Sequence, residues 1–226
     1  MTYVISDIHG NFEKFKEMLA KIRFKDSDVM YILGDVVDFG DDPIGLICDI
    51  SMRYNVLPIL GERDYAALPM LEALNAMLDG EAPDPEALSQ MAQWMTDGGK
   101  STIDGFKALD ADMREGVIDY LSDMALYEEA QINGRKYLML HAGISDFDPS
   151  VSPDDYMPED FISTPLDPTK TYYEDITMIV GHTPTSELGG NGRILRGETS
   201  IHIDCGAAEG GLLGCLRLED GEEFYV

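Results

Sequence analysis

Val56-Leu57-Pro58-Ile59-Leu60-Gly61-Glu62-Arg63-Asp64 (VLPILGERD) runs five apolar residues into a glycine, an acid, a guanidinium and a second acid. A short apolar run closed by glycine reads as a buried strand. Its polar end is odd, because a plain loop would be built from Gly, Asn or Ser. Two earlier runs behave alike: Tyr3-Val4-Ile5 stops at Ser6-Asp7, and Val29-Met30-Tyr31-Ile32-Leu33 stops at Gly34-Asp35. Helix-period segments lie between them. Asn11 is placed as the N-cap of a helix carrying Phe12, Phe15, Met18, Leu19 and Ile22, and a second helix passes through Ile44-Gly45-Leu46-Ile47. This rhythm predicts an α/β fold with βαβ units and a largely parallel sheet, whose functional groups collect at the carboxyl ends of the strands.

From about Ala66 to Glu129 the texture changes to Leu, Met, Ala and Glu with Pro and Gly breaks. It predicts a helical insert, about 66–130, that covers the sheet edge or the site. Strands return at Arg135–Leu140, Ile176–Val180 and Ser200–Ile203, with Gly211–Leu218 and Glu223–Val226 expected as antiparallel partners. Residues 146–171, rich in Asp, Pro and Ser, read as a long surface loop. The chain, 226 residues at 44% hydrophobic content, is long enough for a sizeable core, and 1–226 is expected to form one domain.

Charge narrows the partners. With 43 Asp+Glu against 16 Lys+Arg, the net charge is −27, so nucleic acid and anionic membrane are repelled at long range and neither is expected as a partner. A pocket filled by metal ions escapes that field, because a bound cation is often the largest local charge. Cys48, Cys205 and Cys215 are odd in number and scattered, as suits reduced thiols and a cytoplasmic location. No window approaches the roughly 20 apolar residues of a membrane helix, and the N-terminus lacks a signal-peptide layout. Composition sets no oligomeric state.

The strand ends carry the chemistry. Asp7 and His9 are two residues apart, so in an extended chain both point to one side and can hold one divalent ion. Asp35 and Asp38 follow the second run, and Glu62 and Asp64 the third. Leu140-His141-Ala142-Gly143 and Val180-Gly181-His182-Thr183 each put a histidine just beyond an apolar run. The chain has four histidines, and three of them stand at such ends; the fourth, His202, lies inside a strand and points away from the face of Ile201 and Ile203. One histidine alone is more often structural. Imidazoles and carboxylates converging from several strand ends are what a two-metal site requires.

Together, Asp7-Ile8-His9-Gly10, Gly34-Asp35-Val36-Val37-Asp38, Gly61-Glu62-Arg63-Asp64, His141-Ala142-Gly143 and Gly181-His182-Thr183 resemble, in order and spacing, the calcineurin-like metallophosphoesterases. The bacterial branch near Ser/Thr protein phosphatases and symmetrical dinucleoside tetraphosphatases is the most similar, and Ile203-Asp204-Cys205-Gly206 resembles its terminal block. The resemblance implies a β-sandwich of two mixed sheets flanked by helices, with two divalent ions at one edge, manganese first and iron or zinc as alternatives. It implies that Asp7 and His9 hold one ion, that His141 and His182 hold the other, and that Asp35 bridges them. It further implies in-line attack by a hydroxide between the ions on a phosphorylated small molecule, nucleotide or phosphoprotein.

Two positions depart from that pattern. The third block usually reads Gly-Asn-His-Glu or Gly-Asn-His-Asp, its Asn a metal ligand and its His, supported by the carboxylate at position 38, the proton donor to the leaving group. Here those positions are Glu62 and Arg63, and Phe39 stands where a phosphate-binding Arg is usual. Glu62 can ligate a hard metal through oxygen. Arg63 cannot donate a proton at any relevant pH, but it can grip phosphate in bidentate fashion, the role lost at Phe39. Asp38 and Arg63 are thus the expected catalytic pair, with a preference for good leaving groups. A catalytically weakened protein that binds a phosphorylated partner is the other reading.

Gly98-Gly99-Lys100-Ser101 ends like a P-loop, but Trp94 replaces its first glycine and no strand precedes it. Trp94, Gly98-Gly99 and Thr102 resemble a segment of the same bacterial branch, placed at the substrate mouth or at a plain helix junction. Arg193 and Arg196, around a Gly-rich turn, read as a solvated hairpin.

Overall fold

The structure is a computed structural model that describes residues 1–226. In chain order the elements are β1 (Thr2–Ile5), α1 (Phe12–Ile22), β2 (Val29–Ile32), α2 (Pro43–Ser51), β3 (Val56–Pro58), α3 (Glu62–Leu78), α4 (Pro85–Trp94), α5 (Lys100–Lys107) and α6 (Ala111–Ser122). They continue as β4 (Tyr127–Ile132), β5 (Arg135–Leu140), β6 (Ile176–Val180), β7 (Leu195–Arg196), β8 (Ser200–His202), β9 (Gly214–Arg217) and β10 (Glu223–Tyr225). One sheet has the order β10-β9-β1-β2-β3 and the other β4-β5-β6-β8-β7. In the first, β1-β2 and β2-β3 are parallel and the β9 and β10 pairings antiparallel; in the second, β5-β6 and β6-β8 are parallel. These are the two mixed sheets, flanked by helices, that the sequence resemblance implies.

Three apolar layers hold this arrangement. Tyr3 and Ile5 pack under α1 and α2 with Phe15, Met18, Leu46 and Ile50, in a cluster that also takes up Ala67, Leu71 and Phe106 from the later helices. Val4, between them, points the other way and meets Leu33, Tyr137, Met139, Ile179 and Ile201 between the sheets. Leu138, Leu140, Met178 and Val180 face outward beneath Phe161 and Leu166 of the long loop. Central strands buried on both faces need apolar residues at every position, which is why their sequence runs unbroken instead of alternating.

The expected helical insert differs at both ends. It begins at Glu62, so VLPILGERD is not a strand running into a loop: β3 ends at Pro58, Leu60 N–H donates to the Ala125 carbonyl, and Gly61 N-caps α3. An acid in the first turn of a helix is favoured by the unpaired N–H groups there. Asp64 uses one oxygen on the Gly61 N–H at 3.1 Å, so the last residue of the block, the third of α3, caps its own helix. At the other end helix stops at Ser122, and Tyr127–Ile132 is strand, although Glu, Glu, Ala and Gln favour helix; its full six-residue register with β5 outweighs that preference. Asn11 occupies the N-cap position, but its side chain donates to the Ile8 carbonyl instead of capping α1. No helix is long and apolar enough to cross a membrane.

Candidate functional site

The loops after β1, β2, β5 and β6 and the start of α3 meet at one edge of the sandwich. Backbone strain marks the place. Of ten non-glycine residues with positive φ, six are Asp7, His9, Asp35, Asp38, Phe39 and His182. Left-handed backbone costs energy in L-residues and persists only where the surroundings impose it. Gly34, at φ +78°, shows the same crowding: a Cβ there would stand 2.5 Å from the Gly61 Cα and 2.8 Å from His141 Nδ1.

Asp35 stands in the middle, buried, with one oxygen towards each of two imidazoles. Its Oδ1 lies 3.5 Å from His141 Nε2 and its Oδ2 lies 3.6 Å from His9 Nε2. The other nitrogen of each ring faces a carbonyl: His141 Nδ1 is 2.7 Å from Leu33 O, and His9 Nδ1 is 3.2 Å from Val37 O. A carbonyl only accepts, so both Nδ1 atoms carry the proton and both Nε2 atoms present lone pairs to Asp35. His141 Nε2 is buried and has no hydrogen-bond partner. Acceptors facing acceptors in a buried site fit a cation, and ligand atoms of Asp7, Asp35 and His141 lie within 4.8 Å of one another. The Leu33 and Val37 carbonyls are thus part of the site.

Asp7 accepts from the His182 N–H at 3.0 Å and from the Ser6 hydroxyl, which aims its carboxylate inward. His182 packs edge-on against His141, ring centroids 5.0 Å apart, and its Nδ1 is 4.0 Å from Glu62 Oε2. Glu62 and His182 therefore form the more open side of the group, while Asp7, His9, Asp35 and His141 are buried. Burial pushes Asp35 and Asp64 up to about 7 and Asp204 up to about 6, and it raises Asp7 well above the carboxylate range with Asp204 and Asp35 adding to the rise. It also holds His9 down near 4 and lowers His141 and His182. Unionised imidazoles and acids that resist ionisation alone are a donor set waiting for positive charge.

Asp38 and Arg63 are brought together, with Arg63 held between two acids. Asp38 is fully buried, and its Oδ2 accepts from Arg63 Nε at 2.9 Å and from Trp94 Nε1 at 2.8 Å. Its Oδ1 accepts from the Thr102 hydroxyl at 2.8 Å, and its own N–H donates to that hydroxyl at 3.0 Å. Arg63 also reaches Asp97, with Nη2 on the carbonyl at 2.5 Å and Nη1 on Oδ2 at 3.2 Å. Burial opposes its charge, and Asp38 and Asp97 more than offset that, so Arg63 is held above its ordinary value. Asp64, read from sequence only as a second acid, accepts from the Val36 and Val37 N–H groups at 3.0 and 3.2 Å and fixes the turn that carries Asp35 and Asp38.

The Trp94–Thr102 segment is a helix junction that also touches the site. A kink at Met95–Gly99, non-helical at Asp97 and Gly98, joins α4 to α5 and turns both side chains onto Asp38. His202 is outside the group: its Nε2 lies 3.0 Å from Ser200 Oγ, buried on the outer face of the second sheet. Arg196 reaches the Gly221 carbonyl and Glu223, far from the site, as a surface hairpin contact does.

The sequence profile of the calcineurin-like phosphoesterases matches residues 2–205. A symmetrical bis(5'-nucleosyl)-tetraphosphatase from Acidovorax sp. (strain JS42) is 29% identical over 145 residues, 63% of this chain and 43% of that protein. The chain thus matches less than half the length of that relative. Among solved structures, a candidate diadenosine tetraphosphatase superposes with TM-score 0.65 at 20% identity, covering 100% of this chain and 92% of the other. A protein serine/threonine phosphatase from Saccharomyces cerevisiae gives TM-score 0.57 at 14% identity, covering 100% and 78%. At these identities the structures show a shared fold.

Proposed function

The chain belongs to the calcineurin-like phosphoesterase family, and on that premise we propose that it is a metal-dependent hydrolase of phosphate esters or anhydrides. The observation that supports this most is Asp35, which offers one oxygen to each of two buried imidazoles whose other nitrogens are fixed by carbonyls. Asp7, His9 and Asp35 would hold one divalent ion, and Asp35, Glu62, His141 and His182 a second. When bound, the ions supply Lewis-acid charge to the phosphoryl oxygens and lower the pKa of water for attack on phosphorus. Manganese suits the mixed imidazole and carboxylate set, with iron and zinc as alternatives. The three free thiols suit a cytoplasmic setting.

The chain's own residues govern how the phosphoryl group is held and which leaving groups can depart. Arg63 keeps its bonds to buried Asp38, whereas the Asp97 carboxylate it touches is 65% exposed. An exposed ion pair is worth only about 0–1 kcal/mol, so an arriving phosphate dianion can take over those N–H donors in bidentate form. Arg63 then holds the phosphoryl group and stays protonated throughout. Since residue 63 gives no proton, the leaving group departs unaided, and substrates with poor leaving groups lose on the order of 10²- to 10⁴-fold. Aryl phosphates and phosphoanhydrides, including the dinucleoside tetraphosphates for which relatives are named, are the preferred class.

The test compares p-nitrophenyl phosphate, a dinucleoside tetraphosphate and a phosphoserine peptide with manganese-loaded protein. Faster turnover of the first two is expected, and equal or better turnover of the phosphoserine peptide refutes the preference. One observation favours a second reading, a protein that binds a phosphorylated partner without turnover: the proton-donor position holds an arginine already tied to Asp97. Stoichiometric metal without phosphate release from any of the three substrates would establish it.

A further inference from the structure

Phe39 lies where the site opens to solvent, and nothing in the chemistry above uses it. We infer that its ring is the platform of a stacking subsite for a flat aromatic group on the substrate, a nucleobase or an aryl leaving group; the inference rests on the phosphoesterase reading.

The backbone gives the first argument. Phe39 has φ +59°, and the other nine non-glycine residues in that region are Asp, Asn, His or Arg. A bulky apolar residue is an outlier there, since it has no short polar group to bond its own backbone in return. The residue is nevertheless 49% exposed, so the strain does not serve to bury it. Strain that presents an apolar ring to water is best explained by something that covers the ring.

Placement gives the second. The Phe39 ring meets His9 edge-on, centroids 5.1 Å apart, and the Arg63 guanidinium lies over one of its faces, 5.0 Å from the centroid, which leaves the opposite face for a ligand. His9 faces Asp35, so a phosphoryl group between His9 and Arg63 carries its substituent beside this ring. Phe39 is also fixed in position: its N–H donates to the Gly98 carbonyl at 2.9 Å, and a Cβ on Gly98 would stand 2.5 Å from the ring. Only bare backbone fits there. A rigid ring beside a guanidinium matches a ligand with a flat face next to a phosphate, and every nucleobase or aryl group has such a face.

Calorimetric titration of manganese-loaded protein with matched non-hydrolysable pairs tests this. Phenylphosphonate against methylphosphonate reads an aryl group, and adenosine 5'-methylenediphosphonate against methylenediphosphonate reads a nucleobase. Wild type is expected to prefer the ring-bearing member of at least one pair. Phe39→Leu, which keeps apolar bulk without a ring, is expected to reduce that preference about tenfold, and Phe39→Trp to restore it. Loss in the first pair alone assigns an aryl group, and loss in the second assigns a nucleobase. A wild type without preference, or a preference that Phe39→Leu leaves intact, overturns the inference and makes the ring a contact for something other than substrate. None of these ligands is turned over, so missing phosphatase activity counts against the phosphoesterase reading alone.

Discussion

Replacing Arg63 by histidine should restore a proton donor, and the surroundings of Asp38 set the size of the effect. That carboxylate is fully buried and is aimed by Trp94 at 2.8 Å and Thr102 at 2.8 Å, with Arg63 Nε at 2.9 Å. An imidazole at the second residue of α3 comes within reach of the same oxygen. A buried anion alongside favours the imidazolium, so the group is protonated near neutral pH and can release its proton to a departing alkoxide. The gain for alkyl phosphates is then on the order of 10²- to 10⁴-fold, about 3–5 kcal/mol of barrier. p-Nitrophenolate leaves without help and should change by no more than a few-fold. The assay is kcat/KM over a series of phosphate monoesters of graded leaving-group pKa, for wild type and Arg63→His. The variant should show a shallower dependence on leaving-group pKa, and a fall in rate above the pKa of the new imidazole. Parallel dependences for the two proteins would refute the reasoning.

Thr102→Val removes a donor from buried Asp38 and should cost about 2 kcal/mol in urea unfolding, because a charged acceptor loses a bond it cannot replace with water. Thr102→Ser keeps the hydroxyl and should cost about 0.8 kcal/mol, for the lost methyl; a serine variant as unstable as the valine variant counts against the account. Burial lowers His202 to about 4 from 6.5, so the unfolded chain takes up the proton first, and the stability this histidine contributes is present above pH 6.5 and lost as pH falls towards 4. His202→Gln should narrow the difference between neutral and acid stability in denaturant titrations, and the same pH dependence in both proteins would show that His202 is solvated.

The fold was legible because its signals are local. Apolar runs ending at Asp7, Asp35 and Glu62 marked three strands joined by helices, which pair in parallel as such units do, and Gly143 and Gly181 marked the ends that present His141 and His182. Less legible were elements whose form is decided by a distant partner. Residues 127–132 are strand only because Arg135–Leu140 lies beside them, and β7 is two residues long. Which residues meet at this edge could be read, but the geometry in which they meet could not. The tautomers of His9 and His141 are set by main-chain carbonyls of Val37 and Leu33, which leave no mark in a sequence. That Arg63, read from sequence as a grip for phosphate, also holds Asp97 depends on the turn between α4 and α5, which the sequence marked through Trp94, Gly98-Gly99 and Thr102 without fixing its shape. The final acid of VLPILGERD is the clearest example, since its role on the Val36 and Val37 N–H groups follows from a helix start that looks like a strand end.

Metal stoichiometry of wild type and Asp35→Asn, by elemental analysis after reconstitution with manganese, iron or zinc, tests the central claim most directly. Two ions per chain are expected in wild type with at least one of these metals, and loss of both in Asp35→Asn, because two buried imidazoles face different oxygens of that carboxylate and each would lose its shared acid. Wild type that retains no stoichiometric metal, or Asp35→Asn that retains as much as wild type, would contradict it.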